Sequence, residues 1–562
     1  MTAARALARS SRTTAARSTA HGGKMSRRRW GLAGLALASV VSLTLVGCSP
    51  SATDPGTSPS AGASDAIITT NGNEPQAPLI TFGTTEVGGG KILTSIYAGL
   101  VSYTANGEPV NEVAESIESD DNITWTVKVK DGWTFTNGEA ITAKTFVDTW
   151  TAAAKDPAGA YWYTNVEGVS EKGDTEPTGF AVVDESTFTV KLKQAEADWP
   201  LRLGYTAYMP LPSIAFEDMK AFGENPIGNG PYKLEGEGAW RHDEGINLVK
   251  NEDYKGVREV KNAGLNIVFY TSLDAAYADA RTGNLDVLDT VPDTSFASFE
   301  TDFPERNVNQ PAAIYQGFNI PFYLDHFGND DEGKLRRAAI SMSINRAEIT
   351  DKIFEGTRTP ATDFTSPVVD GWTDDLAGAE VLAYNPEEAK KLWAEADAIS
   401  PYDGTFTLAY NSDGGHQGWV DAVANSISNT LGIKAEGLPF PTFAAALDKR
   451  VNGTLEGATR AGWQADYPSQ YNFLSAQYST GGSSNYEGYS SKDFDAKLAE
   501  ATAAGSLEES TALYKEAQEI LMKDLPSVPL WYANAVGVWA EGVQNVVFGW
   551  DSVPLYHDIT KG

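Results

Sequence analysis

The chain has a single cysteine, Cys48, among 562 residues, so no intrachain disulfide can form. No apolar run reaches the roughly 18 residues that a membrane-spanning helix needs. Nucleophile-elbow, HExxH and CxxC signatures are missing, and an enzyme finds no positive support in the motifs. Five histidines (His21, His242, His326, His416 and His557) stand too far apart for a local metal pair. GGGK, Gly88 to Lys91, has Ile92 where a phosphate loop needs Ser or Thr, and Thr85 where it needs its first Gly. It is expected to be a turn leading into a helix. Basic residues are scarce: 43 Lys and Arg face 75 Asp and Glu, a net charge of −32. Such a surface disfavours nucleic acid and anionic lipid as partners.

What is present begins at the N-terminus. Arg27, Arg28 and Arg29 precede a 16-residue apolar run, Gly31 to Val46, which ends in LVGC. Basic region, short apolar core and small residues are the parts of a signal peptide. LVGC resembles a lipobox, whose Cys is lipidated; the bland alternative is a buried Cys after an ordinary signal. Residues 1–47 are therefore expected to be a signal peptide. Met25 can open a conventional signal by itself, so residues 1–24 are left out of the fold reading. Cleavage before Cys48 leaves 515 residues and removes eight Lys/Arg and no acids, taking the net charge to −40. Residues 48–65 are rich in Ser, Gly and Pro and read as a tether behind the lipidated Cys48. Two acyl chains suffice for stable anchoring. The expected place is the extracellular face of the cell membrane, in a Gram-positive-type envelope.

The remainder mixes strand and helix patterns, which predicts an α/β chain. TWTVKVK alternates with Trp125, Val127 and Val129 on one face, and DGWTF after it suggests a turn and a second strand. TFTVKLK repeats the pattern with Phe188, Val190 and Leu192. Asn385-Pro386 with Glu388, and Asn345 with Glu348, carry helix-start signals. The helix before Pro526 is expected to bury Leu513, Ala517, Ile520 and Leu521. RAGWQADYPSQYNF, Arg460 to Phe473, sets an arginine and an acid six positions apart among aromatic rings. Spacing alone leaves a plain Arg460–Asp466 ion pair open.

Several stretches together resemble the extracellular solute-binding proteins of peptide ABC importers, family 5, nearest the oligopeptide-binding branch. They are DGWTFTNGEAITAKTFVDTW (Asp131 to Trp150, with Thr145 where the family has Asp), PIGNGPYKL, LVKNEDYKG, GNLDVLDTVP, KLRRAAISMSINRAEI, YNPEEAKKLW, RAGWQADY and DLPSVPLWY. The resemblance implies a two-lobed periplasmic-binding-protein type II fold with a hinge and an extra inserted subdomain. Lobe I would take residues 66–105, 200–308 and 526–562, the extra subdomain 106–199, and lobe II 309–525. It implies a monomer without cofactor or metal that hands peptides to ABC permease subunits with cytoplasmic ATPases. Alternatives are the same fold binding dipeptides, oligosaccharide or a nickel chelate, or a peptide-sensing receptor.

By the same resemblance Asp466 takes a peptide's α-ammonium and Arg460 the carboxylate of a tripeptide. His416 would serve a ligand of another length, and its alternative is a solvent-facing loop residue. A strand at Thr85 to Val87 would pair with ligand backbone. Tyr161 or Tyr163 would stand beside the groove. Trp463 and Gln464, between the charged pair, would offer an aromatic floor and backbone pairing. Phe440 would line a side-chain pocket or pack in the core. The physics is consistent: both termini of a peptide are charged at neutral pH, and a closed cleft must answer both. An extended RAGWQAD places the two side chains at most about 20 Å apart, against about 10 Å for a tripeptide.

Overall fold

A computed structural model describes residues 65–562, apart from Thr85 and the side chain of Asp413. The signal, Cys48, the tether and Thr85 thus lie outside the described residues.

Two 13-residue strands, Asn307–Asn319 and Ser527–Trp539, run antiparallel from Asn307 opposite Val538 to Asn319 opposite Ser527. Toward one end, Ile314 to Asn319 pair with the strand Ala458–Gln464, beyond which lie Thr405–Asn411 and Lys434–Phe440. Toward the other, Val538 and Trp539 pair with Val287–Leu288, followed by Ile67–Gly72, Gly264–Phe269, Gly245–Lys250 and Tyr232–Leu234. The long pair therefore carries the chain between two groups of strands. Its register slips between Pro311 and Tyr315, where a proline without an N–H cannot continue the ladder.

Each group has its own apolar interior. One is drawn from residues 68–287 and 540–559 and includes Ile68, Leu265 and Ile559. Another runs from Ala276 to Val538 and includes Phe318, Phe406 and Trp531. A third, under the helix Leu507–Asp524, gathers Phe364, Tyr478 and Leu521. A separate four-stranded sheet, Ala114–Glu118, Thr124–Val129, Thr187–Lys191 and Phe180–Val182, packs Trp125 and Phe188 with Trp150 of the helix Ala143–Ala154.

Most local expectations match these elements. Trp125, Val127 and Val129 are buried on one strand face, and Phe188, Val190 and Leu192 are buried too. Asn385 and Asn345 cap their helices by accepting the N–H of Glu388 and Glu348. Three expectations fail wholly or in part. The turn at Asp131 and Gly132 forms, with Gly132 left-handed, but DGWTF then makes only an isolated bridge, Thr134 to Ala140, and no strand. GGGK lies inside the helix Val87–Ile96. The Leu507–Asp524 helix buries Ser510, Tyr514, Ala517, Gln518 and Leu521, while Leu513 and Ile520 are only partly covered. Its seam is turned because Tyr514 and Gln518 have buried polar partners in Asp198, Phe364 and Gln470.

Candidate functional site

Asp466 sits in the turn between the strand Ala458–Gln464 and the helix Gln470–Tyr478. Ser469 starts that helix by accepting the N–H of Tyr471 at 3.1 Å, which fixes Asn472 in its first turn. The Asn472 amide then organises the turn. Its Oδ1 accepts the Asp466 N–H at 3.0 Å and the Trp463 Nε1–H at 2.8 Å. Its Nδ2 donates to Asp466 Oδ2 at 2.9 Å. One buried amide thus holds indole, backbone and carboxylate together.

Among the described residues no cation forms an ion pair with Asp466. Burial pushes its carboxyl up to about 6, against the opposing hydrogen bonds of Asn472 and the Tyr205 hydroxyl. Burial, and after it the charge of Asp466, likewise drives the Tyr205 hydroxyl well up. The ionised carboxylate is therefore held in a place that penalises it and lacks a positive partner.

Asp466 lines a cavity of about 170 Å³ with Lys91, Tyr103, Tyr205, Trp550 and Asp551; Glu86, Val87 and Gln464 are also on its wall. Lys91 reaches away to the buried Asp289, which is also held by Asn71 Nδ2 at 2.8 Å and the Tyr556 hydroxyl at 3.3 Å. Asp551 is a second acid on this wall, its carboxyl pushed up to about 6 by burial. The expected strand at Val87 is a helix start instead: Glu86 caps it by accepting the Gly89 N–H. A Cβ on Gly89 would come within 2.2 Å of Thr84, whereas Gly90 faces open space, so within this run it is Gly89 that close packing inside the helix requires.

Asn472 also lines a larger cavity, about 500 Å³, with Tyr161, Trp162, Arg202, Tyr467 and Tyr471. Arg202 is buried, paired with Glu196 at 2.8 Å, and lies over the rings of Tyr467 and Tyr471. Tyr161 is 40 % exposed. Tyr163 is not at the cavity: its hydroxyl donates to the Ala207 carbonyl at 2.7 Å, and its ring packs on Trp150 in the core. Of the two tyrosines expected beside the groove, Tyr161 lines this cavity and Tyr163 does not.

Arg460, His416 and Phe440 form another neighbourhood. Arg460 Nε donates to Asn411 Oδ1 at 2.9 Å, and its guanidinium lies over Phe443 at 5.2 Å. Asn411 stands opposite Phe440 in the parallel pair. His416 precedes the helix Gln417–Leu431 and accepts from Trp419 Nε1 at 3.2 Å. None of the three lines the two cavities above, and no ion pair joins Asp466 to Arg460 among the described residues. Asn472, Tyr205, Lys91 and Asp551 are candidate site residues that sequence reasoning missed. Only Asn472 left a signal, at the start of a helix capped by Ser469.

The model of the bacterial extracellular solute-binding proteins, family 5 Middle, matches residues 108–485. The dipeptide-binding protein DppE of Bacillus subtilis is 26% identical over 93% of this chain and 97% of its own length. The periplasmic oligopeptide-binding protein OppA of Salmonella typhimurium is 28% identical over 85% and 89%. The crystal structure of Haemophilus influenzae OppA in complex with RPPGFSPFR superposes with a TM-score of 0.71, covering 88% of this chain and 98% of that one at 24% identity. That likeness gives the fold: two α/β lobes of the periplasmic-binding type. The family and these relatives are binding proteins rather than enzymes.

Proposed function

Since the chain belongs to the family 5 bacterial extracellular solute-binding proteins, we propose that it binds oligopeptides between two closing lobes and delivers them to an ABC importer permease. Lobe I would comprise residues 66–105, 200–308 and 526–562, with 106–199 as the extra subdomain and 309–525 as lobe II. A lipidated Cys48 would hold the body, as a monomer, at the outer face of the membrane.

The observation that carries this reading is Asp466. A partly buried carboxylate, pushed up to about 6 and lacking an ion pair, is held in orientation by Asn472 at a cavity wall. A peptide α-ammonium supplies the missing positive charge and donates charge-assisted hydrogen bonds. Tyr205, which lines the same cavity, and by resemblance Trp463 would wall that ammonium off from water. Gln464 and, by resemblance, Thr85 and Val87 would meet the ligand's first residues, and Tyr161 its side chain. The resemblance gives Arg460 the carboxylate of a tripeptide, His416 a ligand of another length, and Phe440 a side-chain pocket or a place in the core.

Mass spectrometry of small molecules released by denaturing the natively purified protein tests the proposal. Intact peptides with free amino termini are the expected result. Recovery of sugars or metal chelates, or of peptide fragments that accumulate with time, would overturn it. A calorimetric series from dipeptide to hexapeptide separates an oligopeptide protein from a dipeptide one, the alternative favoured by the name of the Bacillus relative.

A further inference from the structure

The short strand Arg358–Pro360 lies along Ser527–Trp539, with Arg358 opposite Ala533 and Thr359 opposite Tyr532. The Arg358 guanidinium rests against the rings of Phe354 at 5.1 Å and Phe296 at 5.8 Å. Its hydrogen bonding is incomplete. Nη1 donates to the Thr357 carbonyl at 2.8 Å, and Nε is buried without a partner. Asp293 of the same cavity acts on it from a distance, but among the described residues no carboxylate stands within ion-pair distance of it. A largely enclosed guanidinium with unmet donors is costly unless an anion completes it, and its planar fork suits a carboxylate.

Arg358 lines a cavity of about 270 Å³ with Gln316, Gln464, Asn534 and Ser552, and with two acids, Asp289, which Lys91 neutralises, and Asp293. Gln464 is also a wall of the Asp466 cavity, and Asp551 of that cavity adjoins Ser552 of this one. The two cavities therefore share one wall. The sheet register sets their separation. Trp463, Tyr315, Tyr532 and Thr359 are successive neighbours across four strands, a span of about 14 Å at the usual strand spacing. Asp466 lies three residues beyond Trp463 and Arg358 one residue before Thr359, each lining its own cavity on either side of Gln464. What remains between the charged ends is on the scale of a short peptide at about 3.5 Å per residue. Arg460 is already engaged by Asn411 and Phe443 and lines neither cavity.

We propose that Arg358, rather than Arg460, receives the C-terminal carboxylate of a short peptide whose α-ammonium rests on Asp466. This rests on the peptide-binding reading above and adds the anchor at the other end. The clamp between Phe354 and Phe296 holds the fork in place, so the carboxylate meets a preorganised cation.

The test is isothermal titration calorimetry with trialanine, Ala-Phe-Ala and tetra-alanine, each as free acid, C-terminal amide and N-acetyl derivative. Wild type is expected to bind the acids about 10- to 100-fold more tightly than the amides, the range of a charge-assisted contact. In Arg358→Gln this preference should collapse to about twofold while the penalty for N-acetylation persists. Arg358→Lys, which keeps the charge, should retain part of the preference, and it carries the test if the glutamine variant fails to fold. Preference for the acid surviving in Arg358→Gln would overturn the proposal, and its loss in Arg460→Gln instead would assign the carboxylate to Arg460. A wild type that discriminates against N-acetyl peptides but not amides would overturn this inference and leave the peptide reading standing. A wild type that binds none of the peptides would overturn both.

Discussion

Replacing Asp466 by asparagine separates two effects of opposite sign. The substituted amide can still accept from Asn472 Nδ2 and face the Tyr205 hydroxyl, so the turn keeps its geometry while the charge is lost. In the empty protein the wild-type carboxyl is raised from 3.8 to about 6, which corresponds to about 3 kcal/mol against the ionised form. The folded pKa exceeds the unfolded one, so the folded state holds the extra proton between about pH 4 and 6. Stability from this group is thus highest at low pH and falls as pH rises through that window. At pH 7.5 the Asp466→Asn protein should be up to about 3 kcal/mol more stable than wild type, and near pH 4 the advantage should vanish. Binding should move the other way. Losing one partner of an enclosed, hydrogen-bonded charge pair costs about 2–5 kcal/mol, roughly 30- to 5,000-fold in affinity. Urea denaturation of ligand-free protein at both pH values, with calorimetry of trialanine binding, measures the two sides. A variant no more stable than wild type at pH 7.5 that binds peptide within twofold of wild type would refute the reasoning about Asp466.

In wild type, affinity should weaken by up to about tenfold per unit as pH falls below about 6, and again above about 8 as the ligand's ammonium deprotonates; calorimetry from pH 4.5 to 9 traces this window. Lys91→Met strands the buried Asp289 without its cation, and urea denaturation should show a loss of about 3–5 kcal/mol. Tyr163→Phe removes a buried hydrogen bond to Ala207 and should cost about 1 kcal/mol of stability with peptide affinity unchanged. Tyr161→Ala, at a half-exposed cavity wall, should do the reverse, weakening binding with stability held within about 0.5 kcal/mol.

Periodicity made the local elements legible where one face is buried and the other wet. Trp125, Val127 and Val129 show this on a strand, and Asn385 with Pro386 shows it at a helix start. It misled where polar groups are buried. The Leu507–Asp524 helix turns Tyr514 and Gln518 inward because both find partners there, and no hydropathy pattern carries that. Ordered motifs along the chain pointed to the family, and RAGWQADY to Asp466. They could not convey that Lys91, Asp289 and Tyr556, far apart in sequence, converge behind the cavity. Arg358 left no trace in the motifs either. Its distinction is a buried Nε with no acceptor and no ion pair, and that exists only once Phe296 and Phe354 have closed around it.

The slip between Pro311 and Tyr315 accounts for how the site is tied to the crossing strands. Released from the regular ladder, the Ala313 N–H donates to the Trp550 carbonyl at 2.7 Å, and the Ala313 carbonyl accepts from the Ala465 N–H at 2.9 Å. One residue at the crossover thereby grips both the segment that carries Asp466 and the segment that carries Asp551. Ala313 is fully buried, in a cluster with Ala465, Phe473, Tyr532 and Trp550. A larger side chain there has no room and must push those two segments apart. Ala313→Leu should cost about 1–3 kcal/mol of stability from overpacking. If the grip sets the geometry of the cavity, it should also weaken peptide binding at least tenfold at a temperature where the variant is still folded. Ala313→Gly, which keeps both backbone bonds, should bind within about threefold of wild type. Peptide affinity unchanged in a destabilised Ala313→Leu protein would mean that the crossover holds the fold together without setting the cavity.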